Sequence, residues 1–91
     1  MKRFNVVFLK SAAKEFRHLP GSVRDKVLEA VELLAINPYS AILPVKKLRG
    51  GEDLYRLRLG DYRLIYQVES RLVKVVIIKI GHRRDVYRLL G

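Results

Sequence analysis

The stretch 54–68, LYRLRLGDYRLIYQV, constrains the fold more than any other part of the chain. Apolar or aromatic residues alternate with polar ones at a period of two on either side of Gly60-Asp61, and that dipeptide is a turn signal. With those two residues as the loop, the register of a β-hairpin follows. Leu59 pairs with Tyr62, Arg58 with Arg63, Leu57 with Leu64 and Tyr55 with Tyr66. One face then carries Tyr55, Leu57, Leu59, Tyr62, Leu64 and Tyr66. The other carries Arg56, Arg58 and Arg63, with Ile65 and Gln67 beyond them.

That second face is unusual. Like charges directly opposite on a ladder destabilise it by a few tenths to ~1 kcal/mol. Either the three arginines fan out into water, or they converge on an anion.

The remaining segments are read around the hairpin. Residues 4–9 (FNVVFL) form a first strand, apolar enough to be buried on both faces. Ser11 caps a short helix that reaches Leu19, before Pro20-Gly21. Ser22 caps a second helix in which Val23, Val27, Ala30, Val31 and Leu34 make one apolar stripe; it stops near Ile36, ahead of Asn37-Pro38. His18 falls at a helix end, on or near the surface. Residues 37–53 read as a long irregular connection, anchored to the core by Ala41, Ile42, Leu43 and Val45. After a turn at 69–71, residues 72–80 (LVKVVIIKI) form the central strand, apolar on both faces. Gly81, His82, Arg83 and Arg84 follow it, and Val86, Tyr87, Leu89 and Leu90 suggest a short final helix or an ordered tail.

The predicted order is β-α-α-β-β-β. It describes a single α+β domain over residues 1–91, with two N-terminal helices packed on a four-stranded, mainly antiparallel sheet. The helices cover the apolar hairpin face and leave the arginine face open. Lys46, Lys47 and Arg49 add cations just ahead of the hairpin, as a solvated loop or as phosphate contacts. A strand ending near Ile80 beside the Gly60-Asp61 turn also brings the group His82, Arg83 and Arg84 to the sheet edge that holds Arg58 and Arg63.

Charge supports an anionic partner. The 91 residues carry 19 Lys and Arg against 9 Asp and Glu, a net charge of +10, with the excess concentrated after residue 45. Such a domain suits nucleic acid, an acidic protein, or both. A membrane surface fits less well, because the cations lie on strands. With no cysteine, there are neither disulfides nor thiolate metal sites. No secretion signal and no apolar run near the ~20 residues of a membrane span are evident, so a cytoplasmic location without metal or cofactor is the expectation.

Three motifs, KKLRG at 46–50, YRLRLGDYRLIYQV at 55–68 and IGHRRDVY at 80–87, occur in the order and spacing of one family. The chain resembles the RelE side of the RelE/ParE toxin superfamily over nearly its whole length. The resemblance implies the toxin of a type II toxin–antitoxin pair, an endoribonuclease that enters the ribosomal A site and cuts mRNA. Cleavage would need no metal and would leave a 2′,3′-cyclic phosphate. An acidic, RelB-like antitoxin would cover the basic face. By position, Arg56 and Arg58 match the family's two hairpin cations, Arg63 and Arg83 its phosphate-stabilising arginines, and Tyr87 its C-terminal tyrosine. Arg56, Arg49, Lys46, Lys47 and Arg84 would contact RNA.

Some relatives carry lysine at the positions of Arg56 and Arg58. Lysine can shed a proton and arginine cannot, which moves proton transfer to His82 or Tyr87. The same superfamily holds gyrase-inhibiting ParE toxins without nuclease activity, so fold and function are separate questions.

Overall fold

The computed structural model describes residues 3–39, 42–49 and 53–90, the last four as backbone only. Strand β1 (Asn5–Phe8) leads into helices α1 (Lys10–Arg17) and α2 (Gly21–Ile36). Then come β2 (Val45–Lys47), β3 (Leu54–Leu59), β4 (Tyr62–Glu69), β5 (Lys74–His82) and helix α3 (Arg83–Leu90). The sheet runs β1-β5-β4-β3-β2, with β1 parallel to β5 and every other pair antiparallel. No helix among the described residues is long and apolar enough to cross a membrane.

The hairpin has the register its alternation dictates, from Leu59↔Tyr62 to Tyr55↔Tyr66. Gly60 takes the turn's positive φ, 62°, a conformation that costs a glycine nothing. Leu57, Leu64 and Tyr66 are fully buried and meet Ala12 of α1 and Val27, Ala30 and Leu34 of α2. The helices therefore cover the apolar hairpin face, and β5 lies centrally between β1 and β4.

Several expectations need correction. The sheet has five strands and not four. Residues 45–47 leave the long connection to pair with β3, Val45 opposite Leu57 and Lys46 opposite Arg56. Strand β1 is an edge strand, and Val6, Val7 and Phe8 are only half-buried. Neither serine caps its helix. α1 starts after Leu9 and α2 after Pro20, both without a side-chain cap. Leu43 and Val45 pack on the core, but Ile42 is 89% exposed, and Ala41 lies outside the described residues. β5 starts at Lys74 because Ser70–Leu72 make a helical turn that Val73 closes in the left-handed region, at φ 49°.

Candidate nucleic-acid interface

Strand pairing assigns each cation to a face. Arg58 stands opposite Arg63, and Lys46 opposite Arg56. Paired residues share a face, so Lys46, Arg56, Arg58 and Arg63 all project from the side away from α1 and α2. Lys47, opposite Tyr55, belongs to the helix side, and Arg49 lies exposed beyond β2.

The cations differ in freedom. Arg58 and Lys46 are exposed, whereas Arg63 is only 7% exposed. Its Nη1 donates to the carbonyls of Gly60 at 2.7 Å and Tyr62 at 2.9 Å, which fixes the guanidinium against its own turn. A held guanidinium loses little further entropy when it meets a phosphate.

Helix α3 joins the same turn. The Arg83 backbone N–H donates to the Asp61 carbonyl at 2.7 Å. Gly81 pairs with Arg63 and so shares the arginine face, and a side chain at Gly81 would meet Val86 of α3 at 3.4 Å. Val86 is fully buried. α3 therefore lies on the arginine face, which is not left open as expected. It covers the end of the sheet where Arg63 and Ile65 are buried. Arg83 and Arg84, at its start, are exposed. Tyr87 is carried one turn further on, its side chain outside the described residues.

His82 does not join this group. It pairs with Tyr62, on the helix side, and the two rings meet edge to face at 5.6 Å. Its Nδ1 accepts a hydrogen bond from the Arg84 N–H at 3.3 Å. The sheet thus separates the imidazole from Arg58 and Arg63, against the expectation that it meets them at one edge.

Glu15 was not legible as part of this region. Its carboxylate pairs with Lys79 and accepts the Ile80 N–H at 3.2 Å, beyond the point where β1 stops covering the edge of β5. The available signal was an acidic residue inside the apolar spacing of Ala12, Phe16 and Leu19. A depression of about 470 Å³ among the described residues is lined by Asp53 and residues 67–72 at the opposite end of the hairpin and holds none of the hairpin arginines.

Residues 6–87 match the family model of the ParE toxin of the type II toxin–antitoxin system parDE. The chain belongs to this toxin family. It is 38% identical over 85 residues to the mRNA interferase toxin RelE of Escherichia coli K12, covering 88% of this chain and 85% of that one. Its fold superposes on the archaeal RelE–RelB complex of Pyrococcus horikoshii with a TM-score of 0.78, at 34% identity, covering 89% of this chain and 96% of that one. The isolated E. coli RelE toxin gives a TM-score of 0.77 at 29% identity, over 94% and 98% of the two chains.

Proposed function

We propose that this chain is the toxin of a type II pair and an mRNA endoribonuclease that stops translation by cutting message in the ribosomal A site. The observation that carries the reading is the opposed pair Arg58 and Arg63, flanked by Arg56 and Lys46, beside a turn that also anchors Arg83. In the proposed reaction the RNA 2′-hydroxyl attacks the adjacent phosphorus, and the bond to the 5′ oxygen breaks. Charge builds on the phosphoryl oxygens, and fixed arginines suit its stabilisation. Products are a 2′,3′-cyclic phosphate and a 5′-hydroxyl, with no metal needed. Arginine does not exchange protons at neutral pH. With His82 across the sheet, proton transfer falls to Tyr87. Arg49, Arg84 and Lys46 contact the RNA backbone.

Relatives crystallised as RelE–RelB complexes support a cognate antitoxin. We assign it an acidic segment that lies on the cation face, and we place the pair in the cytoplasm.

The test is primer extension on a translated message with the wild type and with R58A/R83A, which alters only exposed cations. Ribosome-dependent cuts that vanish in the double variant are expected. A second reading, gyrase inhibition, is favoured by the family model's description as a parDE toxin. Growth arrest without cuts, together with inhibited supercoiling, would replace the first reading with the second.

A further inference from the structure

The place of His82 gives it a different task from acid–base chemistry. It is the residue immediately before α3, and its Nδ1 accepts the N–H of the helix's second residue, Arg84. That is the geometry of an N-cap, usually made by Ser, Thr, Asp or Asn. The neighbouring N–H, of Arg83, goes to the Asp61 carbonyl. Two of the four backbone donors that a helix start leaves unsatisfied are thus taken by the imidazole and by the hairpin turn. The turn is the one on which Arg63 is fixed.

We propose that His82 is a positioning residue: its neutral imidazole caps α3 through Nδ1 and holds Arg83 and Arg84 beside the arginine face. The Arg84 N–H fixes the tautomer, leaving Nδ1 bare and the ring hydrogen on Nε2. While the cap holds, the ring has no lone pair to offer a substrate hydroxyl. A second proton must enter at Nδ1, where it faces the Arg84 N–H, and the cap is lost.

The role of the capped helix in cleavage rests on the proposed nuclease reading; the cap itself does not. The experiment uses the full chain as wild type, H82N and H82A. Amide hydrogen exchange at Arg84 and cleavage of a translated message are followed side by side at about pH 8. Asparagine accepts a backbone N–H as a cap but has no ring nitrogen for proton transfer. H82A is expected to lose about fivefold in Arg84 protection, the size of one cap, and H82N to keep it. Cleavage should follow the same order. Equal Arg84 protection in all three chains would overturn the cap. H82N as inactive as H82A, with its amide still protected, would overturn the positioning role and return His82 to proton transfer. If no chain cuts RNA while the exchange pattern holds, the nuclease reading fails and the cap stands.

Discussion

Gly81 stands opposite Arg63 on the ladder between β4 and β5, and the space a larger side chain at 81 would fill is held by Val86. A small residue at 81 is what lets α3 lie down on the arginine face. At 3.4 Å a single methyl group just fits, so G81A should change stability by less than about 1 kcal/mol. G81L must push Val86 away and should cost about 1–3 kcal/mol. Denaturant midpoints of both variants check this. Equal midpoints for G81L and the wild type would remove α3 from that face.

Arg58 and Arg63 face each other but should fail differently. Arg63 is buried and satisfies two turn carbonyls, so R63A should lose about 1–3 kcal/mol of stability as well as activity. Arg58 is exposed, so R58A should keep the wild-type melting temperature within a degree or two while cleavage drops by about 10²-fold. Thermal melts run beside single-turnover cleavage separate the two. A melting loss in R58A as large as that in R63A would contradict the assigned geometry.

How much of this was legible in advance depended on periodicity. The hairpin announces itself because most of the thirteen residues flanking Gly60-Asp61 alternate about an unmistakable turn, and its register matches that alternation. Strand β2 does not announce itself. Three residues after Pro44 carry no period, and their strand character comes from pairing with β3. The face of His82 was hidden for another reason. Tyr66 pairs with Ile77 but Ile65 pairs with Lys79, so Ile78 is an extra residue in β5. Unbroken alternation from buried Ile77 would send position 82 to the arginine face. The bulge reverses that parity and sends the imidazole to the helix side. Arg63 and Arg83, by contrast, were placed beside one turn from the sequence, and both are bonded to it.

Lys46 and Lys47 are adjacent in sequence and lie on opposite faces of β2. Edge-strand lysines also serve to keep sheets from pairing with one another, and that role would not distinguish the two. RNA binding to the cation face would. K46A should weaken binding to a single-stranded RNA and lower the salt slope by about one counterion. K47A should leave both within error. Affinities titrated from about 50 to about 200 mM salt decide it, and equal effects would assign both residues to edge protection.

The far end of the hairpin predicts an alkaline limit to stability. Tyr66 is fully buried, and its hydroxyl donates to the buried Pro38 carbonyl at 2.6 Å. Its ring stacks on Tyr55 at 5.5 Å, and Tyr55 meets Tyr39 edge to face at 5.7 Å. Burial, reinforced by the neighbouring Tyr55 and Tyr39, raises the Tyr66 phenol well above its ordinary value of 10.0. Burial also raises Tyr55, with help from Tyr39 and Asp53. Both groups thus hold their protons more tightly folded than unfolded. Their contribution is complete below the unfolded phenol value, about 10, and is lost as pH rises beyond it, because only the unfolded chain then ionises readily. Unfolding free energy should therefore be level from about pH 8 to about pH 9.5 and fall steeply above about pH 10. In Y66F the Pro38 carbonyl loses its donor, so stability at neutral pH should drop by about 1–2 kcal/mol. The same substitution removes the group that titrates most unfavourably, so the alkaline fall should become shallower. Urea titrations of both chains at several pH values measure the two effects together. A Y66F chain that loses stability above pH 10 as steeply as the wild type would show that the alkaline limit lies elsewhere in the molecule.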